Sequence, residues 1–272
     1  MAEKYKSKVV CSDEDDHSDA EESKSTVDDL ALPLEKLNLG PEKKKKLLVI
    51  GLGGLLCHRV YRTEKLHIPK HRRPDAAYGN YKVYKRPYCE EFMKFCLERF
   101  EVGIWSSARE WYLDNALDCV MKGLRRKLLF AWDQVECTDS GYKTLENQRK
   151  PIFLKELKKI WENKGFKASL PSSMGKYSSL NTLLIDDEPY KALLNPAHTA
   201  IFPDEYKVDQ VDDKALGPNG ELRLYLEGLA DADDVTSYVK ENPFGQPAIS
   251  TTHSEWEFYS KIINAIELET FK

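Results

Sequence analysis

Gly51, Gly53 and Gly54 follow the apolar run Leu47-Leu48-Val49-Ile50, which stands just after four lysines, Lys43 to Lys46. A buried strand opening onto a glycine loop lets backbone amides approach a phosphate. A dinucleotide-binding fingerprint, G-x-G-x-x-G, needs a third glycine at position 56, where Leu56 stands. It also needs a helix directly afterwards, and Cys57-His58-Arg59-Val60-Tyr61 through Ile68-Pro69 has no helical period. Metal ligation has similarly thin support. Cys57-His58 is half of a zinc pair with no second half, and Pro69 between His67 and His71 opposes a regular helix presenting both to one ion.

The apolar pattern around this loop alternates between strands and helices. Leu47–Ile50, Glu101–Ser106, Leu128–Trp132, Thr182–Ile185 and Thr199–Phe202 read as strands. Helices are expected from Pro87 to about Phe100 and from Arg109 to Met121. Another is expected from Pro151, with Ile152, Leu154, Leu157, Ile160 and Trp161 at helical spacing. Leu222 to Tyr238, broken near Ala230-Asp231, and Glu255 to Leu268 are the last helical stretches. Cys89 and Cys96, two turns apart beside Phe92 and Phe95, read as core. Such alternation implies an α/β fold with a parallel sheet flanked by helices. Sites in such sheets lie at the carboxyl ends of the strands, where Gly51, Ser106 and Asp186 fall.

The 272 residues are 41% hydrophobic and 32% charged, which suits one ordinary domain with tails. Residues 1–40 carry Ser12-Asp13-Glu14-Asp15-Asp16 and Ser18-Asp19-Ala20-Glu21-Glu22, an acidic tail expected to be disordered. A net charge of −4 opposes a dedicated nucleic-acid binder, and Lys70-His71-Arg72-Arg73 reads as a solvated loop. Lys43 to Lys46 fit either a nuclear import signal or a strand flank. Six scattered cysteines without a CxxC pair fit reduced thiols in the nucleus or cytoplasm. No apolar run reaches the roughly 20 residues that span a bilayer, so no membrane partner is expected.

Four landmarks in order carry a resemblance. They are Arg86-Pro87 with Glu91-Phe92, Val102-Gly103-Ile104-Trp105-Ser106-Ser107-Ala108, Lys155-Glu156-Leu157, and Leu184-Ile185-Asp186-Asp187-Glu188-Pro189. Together they resemble the RNA polymerase II C-terminal-domain phosphatase family, also called NLI-interacting-factor-like, of the haloacid dehalogenase superfamily. The resemblance covers residues 45–240, looks plant-like from Lys143-Thr144-Leu145-Glu146-Asn147 to Pro196, and leaves 241–272 as an extension with one helix. It implies a haloacid-dehalogenase-like (Rossmannoid) sheet with small insertions and C-terminal helices.

In that family the first strand ends in D-x-D-x-T or D-x-D-x-V. The first aspartate attacks phosphorus, the second handles protons, and magnesium is held by the first carboxylate, by the second residue's backbone carbonyl and by an aspartate after a later strand. Here the nucleophile position is Gly51 and the acid/base position is Gly53. The resemblance assigns phosphate contacts to Ser106 or Ser107 and to Lys155 or Lys150, and residual metal ligation to Asp186 and Asp187, with Asp186 preferred. Cys57 is the nearest bypass nucleophile but has no evident base. The plain alternative is structural: serines in a turn, lysines on a solvated helix, acids capping the next helix. The implied protein is a pseudophosphatase binding a phosphorylated or other protein partner, with magnesium weak or absent. The competing expectations are an active magnesium-dependent phosphoserine/threonine phosphatase, and a subunit of the inner-mitochondrial-membrane import machinery that shares this domain. The latter calls for a presequence and a membrane helix; the first residues are mixed in charge and soon acidic.

Overall fold

The computed structural model describes residues 45–64, 68–162 and 177–270. They belong to one compact unit spanning Lys43–Lys272. The acidic segment 1–40, with its expected disorder, lies outside the described residues, as does His67 of the HxxxH pair.

Ten strands are named in chain order: β1 (Leu47–Ile50), β2 (Cys57–Tyr61), β3 (Ala76–Tyr78), β4 (Tyr81–Lys85), β5 (Glu101–Trp105), β6 (Phe130–Trp132), β7 (Thr138–Lys143), β8 (Pro151–Leu154), β9 (Thr182–Ile185) and β10 (Ala200–Ile201). Five form a parallel sheet in the order β10-β9-β1-β5-β6. The fold is therefore α/β with a parallel central sheet. β1 lies at its centre, and all four of its residues are fully buried. Strand alternation divides them between two cores. Leu48 and Ile50 pack with Val102, Ile104, Leu183 and Ile185 against α1 (Cys89–Arg99) and α2 (Glu110–Met121). Leu47 and Val49 face Trp105, Phe130, Leu157 and Leu184 on the other side. A strand buried on both faces reads as an unbroken apolar run, and this one does.

Cys89 and Cys96 lie in the first of these cores with Phe92 and Phe95, as expected. Lys46 has a local role: it is buried, and its ammonium donates to the carbonyls of Ala230 and Ala232 where the helix Glu221–Asp231 ends. A three-stranded antiparallel sheet, β2-β4-β3, follows the glycine loop.

One element differs from expectation. The segment from Pro151 begins as strand β8, hydrogen-bonded to β7, and only Lys158–Glu162 becomes helical (α3). Ile152 and Leu154 are buried while Pro151 and Phe153 are half-buried, an alternation of two. A short apolar run fits either period, and pairing with β7 decides it. Proline is tolerated at the first residue of a strand because it sacrifices little of the ladder. The outer side of this hairpin packs on the C-terminal helix Trp256–Thr270 through Ile152, Leu154, Tyr259 and Ile262.

Candidate functional site

The carboxyl ends of β1, β5 and β9 coincide because their registers do: Ile50 pairs with Ile104 and with Ile185. Gly51 and Asp186 are thus neighbours, and the Gly51 N–H donates to the Ile185 carbonyl at 2.8 Å. Ser106 follows β5 beside them. A cavity of about 240 Å³ opens over these ends. Gly53, Gly54, Ser106 and Ser107 line it together with Lys150, Lys155 and Asp187. The structure so brings most of the sequence-nominated residues to one place. A larger cavity, of about 610 Å³, lies near Arg72 and Arg86. Its arginines are already spoken for: Arg72 pairs with Asp75, and Arg86 grips both oxygens of Asp213. The smaller cavity carries the unspent chemistry.

At its floor, Asp186 is fully buried between two lysines. Lys155 Nζ donates to Oδ2 at 2.5 Å and also to the Trp105 carbonyl, while Lys191 Nζ donates to Oδ1 at 2.7 Å. Burial alone would push the Asp186 carboxyl up, but Lys155 and Lys191 outweigh it and hold the group well below the usual carboxylate range. Asp187 behaves oppositely. Burial, only partly offset by Lys191 and reinforced by the adjacent Asp186, pushes it up to about 7. Glu188 is pulled down to about 2, since Lys191 and Lys150 overcome its burial. Lys191 is itself held charged: the three carboxylates outweigh a burial that favours the neutral amine.

Local structure explains these positions. Lys155 is the first residue after β8, and its N–H donates to the Lys191 carbonyl at 2.8 Å, so both lysine segments run side by side. Asn195 clamps the same turn, accepting from Leu157 N–H and donating to the Lys155 carbonyl. Asp186-Asp187-Glu188-Pro189 leads into a 3-10 turn, Pro189–Ala192, without capping it through the Glu188 side chain. Asp186 Oδ1 instead accepts from the Glu188 N–H at 3.2 Å. Of the paired aspartates, Asp187 lines the cavity and Asp186 lies behind it. Of the two lysines left open by sequence, Lys155 is 1% exposed at the floor and Lys150 is 47% exposed at the rim, paired with Glu188. Ser106 Oγ accepts from the Ala108 N–H at 3.1 Å, which leaves its hydroxyl proton to donate.

The two glycines differ. A Cβ on Gly51 would come within 2.8 Å of Asp186 Oδ2, whereas one on Gly53 would meet nothing within 4 Å. Gly54, at φ +74°, lies under the Asp187 carboxylate, and a Cβ there would clash with it. Cys57 is fully buried and burial pushes its thiol up to about 12, so it is no nucleophile.

Sequence reasoning missed Lys191, Arg59 and Tyr81. Lys191 had a signal: a lysine inside a proline-initiated turn can fold back on acids four and five residues earlier. Arg59 lines the cavity on β2 and lies over the rings of Tyr81 and Tyr112, at 5.9 and 5.6 Å. Tyr61, Tyr81, Tyr112 and Trp111 continue from it as a row of edge-to-face rings spaced 4.8 to 5.1 Å. These positions converge only through β2–β4 pairing and the packing of α2.

Asp186, Asp187 and Glu188 offer carboxylate oxygens within 4.8 Å of one another, the donor chemistry magnesium prefers. The arrangement does not fit the ion. Lys191 Nζ already stands 2.7, 3.4 and 2.9 Å from oxygens of Asp186, Asp187 and Glu188. Two unit charges about 4 Å apart repel by about 4 kcal/mol at an effective dielectric near 20, and a divalent ion doubles that.

A family model described as NLI interacting factor-like phosphatase matches residues 46–236. An uncharacterized FCP1 homology domain-containing protein of Schizosaccharomyces pombe is 27% identical over 212 residues, covering 75% of this chain and 80% of that protein. Two solved structures are also similar. One is Fcp1, an essential RNA polymerase II CTD phosphatase, with a TM-score of 0.38 at 14% identity. The other is a variant of the fission yeast RNA polymerase II CTD phosphatase Fcp1 bound to beryllium fluoride, at 0.39 and 13%. Each alignment covers 81% of this chain and 62% of the solved one, so the chain spans less than two thirds of their length.

Proposed function

This chain belongs to the NLI interacting factor-like phosphatase family, and from that premise we propose that it is a pseudophosphatase, holding a phosphorylated protein segment without cleaving it. The end of β1 carries the reading. Covalent phosphotransfer needs a carboxylate there to attack phosphorus, and Gly51 offers backbone alone, with Asp186 Oδ2 already against it. Gly53 provides no acid or base. Asp186 cannot substitute, because lysine ammoniums occupy both its oxygens. Removing the nucleophile costs a well-studied protease roughly a millionfold in turnover, and this site lacks the proton carrier as well.

Binding needs less. The Ser106 hydroxyl and the Lys150 ammonium border the cavity, Lys155 and Lys191 offset the acids at its floor, and charge-assisted hydrogen bonds to phosphate oxygens follow from a lining ammonium such as Lys150. Burial would neutralise Lys191, but Asp186, Asp187 and Glu188 outweigh it and keep the ammonium charged. Arg59 and the ring row beginning at Tyr81 supply an apolar shelf for residues flanking the phosphate. A nuclear or cytoplasmic setting agrees with the free, buried thiols of Cys57, Cys89, Cys96, Cys119 and Cys137. Among the described residues no helix is long and apolar enough to cross a membrane.

Titration of the full chain with a phosphoserine peptide and its unphosphorylated twin checks the proposal. Only the phosphorylated peptide is expected to bind, and an aryl phosphate is expected to survive incubation. Equal binding of both peptides, or hydrolysis by the native protein, overturns it.

A further inference from the structure

Asp186, Asp187 and Glu188 form the only cluster of three or more metal-ligating side chains in mutual reach among the described residues. Its centre is occupied. Lys191 Nζ lies 2.7 Å from Asp186 Oδ1, 2.9 Å from Glu188 Oε2 and 3.4 Å from Asp187 Oδ1. We infer that the Lys191 ammonium supplies, from within the chain, the positive charge that family resemblance assigns to a magnesium ion, so that the pocket takes its anion without a divalent cation. The inference rests on reading the pocket as an anion site and adds what neutralises its acids.

Three observations carry it. The ammonium is fixed in place: Lys191 is 8% exposed in its side chain, stands on the turn Pro189–Ala192, and is anchored at its carbonyl by the Lys155 N–H. The second Asp186 oxygen is closed to an ion as well, because Lys155 Nζ holds it while also donating to Trp105. Magnesium needs oxygens at about 2.0–2.1 Å in a near-octahedral shell, and both oxygens of Asp186 and both of Glu188 already carry an ammonium. The charges also balance. Gly51 lacks the one negative charge that a nucleophilic carboxylate would bring, and a lysine carries one positive charge fewer than the divalent ion. Losing the nucleophile and replacing the metal by Lys191 leave the floor with the same net charge.

Melting of the full chain in EDTA and in magnesium chloride tests this without any assay of turnover. The native Tm is expected to be the same in both, and Lys191→Met, which keeps length but removes charge, is expected to gain a saturable magnesium-dependent rise. A magnesium-dependent rise in the native protein overturns the inference. So does a folded Lys191→Met, or its more polar alternative Lys191→Gln, that ignores the ion. Should neither variant fold, manganese added to the native protein decides: selective broadening of NMR signals around Asp187 overturns the inference, and undisturbed signals support it. A separate titration with inorganic phosphate, in EDTA and in magnesium, should give affinities within about twofold, a difference of under ~0.5 kcal/mol. Phosphate affinity that appears only with magnesium overturns the inference. Failure to bind phosphate in either solvent defeats the anion-site reading, and the metal arms then judge Lys191 by themselves.

Discussion

The floor and the rim of the pocket use the same residue types to different ends. At the floor, Lys155 and Asp186 are 1% and 0% exposed, and each is held by further buried partners. At the rim, Lys150 and Glu188 also pair, but Lys150 is 47% exposed. Coulomb attraction matters only against the desolvation that accompanies it. At the rim water screens the pair, which is worth about 0–1 kcal/mol. At the floor each charge depends on the others, and removing one partner leaves an uncompensated buried ion. The floor is therefore a fixed structural element with an electrostatic surface, and the rim is where affinity can be adjusted cheaply.

The largest test of that contrast is Lys155→Met. It leaves Asp186 with Lys191 alone and the Trp105 carbonyl without its donor, so a loss of about 3–5 kcal/mol is expected in urea unfolding. Asp186→Asn in the Lys155→Met background should restore part of it, because the orphaned charge is gone. Additive losses would mean that the two residues do not act as a pair.

Restoring the missing carboxylates separates the regions next. Gly51→Asp places a Cβ 2.8 Å from Asp186 Oδ2, and crowding of this kind costs about 1–3 kcal/mol before any cost of a new buried charge. Gly53 is half-buried but an added Cβ meets nothing within 4 Å, so Gly53→Asp should stay within about 0.5 kcal/mol of the native protein, as substitutions away from packed or paired groups do. Tm shifts of the two single variants compare them directly. Aryl phosphate hydrolysis by the double variant alone would show that the scaffold still tolerates the reaction. Equal Tm losses would remove the distinction between floor and rim.

This difference between the glycines was not legible in the sequence. Pattern placed β1, β5 and β9, and with them Gly51, Ser106 and Asp186, because strands buried on both faces announce themselves as apolar runs. It put both glycines on the same footing, since spacing says which residues approach a strand end and not which neighbour fills the space. The segment from Pro151, strand β8 in the structure, reads as a helix in the sequence for a related reason. Ile152 and Leu154 alternate as in a strand while Leu154, Leu157 and Ile160 recur at helical spacing, and only the pairing of Thr138 with Leu154 and of Lys143 with Pro151 settles it. Lys155 could therefore not be placed against Lys150, and Lys191 entered the site through a turn whose fold-back has no periodic signature.

A pH series gives a smaller effect. Asp187, raised to about 7 from an ordinary 3.8, binds a proton in the folded state that the unfolded chain releases earlier. Stability from this group is therefore fully present below its ordinary 3.8 and is lost as pH rises from there through about 7. Glu188 runs the other way. Lowered to about 2, it contributes stability above its ordinary 4.5 that is lost as pH falls toward 2. Asp186, also lowered, is likewise fully ionised from pH 5 to 8. Between those limits Asp187 alone among the three changes charge, so Tm should fall gently with rising pH, and Asp187→Asn should flatten the slope. An unchanged slope in that variant would place the titration elsewhere.

A similarly small change in stability is expected for the ion pair at the rim. Lys150→Gln removes the ion pair with Glu188, which keeps a second cation in Lys191 at 2.9 Å and a hydrogen bond from the Tyr190 hydroxyl at 2.6 Å. Glu188 is thus not orphaned, and the expected loss is under about 1 kcal/mol, as for other exposed pairs. Affinity for a phosphoserine peptide should fall nonetheless, because a cavity-lining cation is lost, and the fall should shrink as salt is added, since exposed charges are screened within about 10 Å at 0.1 M. Comparing the Tm and the salt dependence of the peptide Kd for Lys150→Gln separates the two roles. A large Tm loss would move Lys150 into the floor, and an unaltered Kd at low salt would take it out of the pocket's recognition of phosphate.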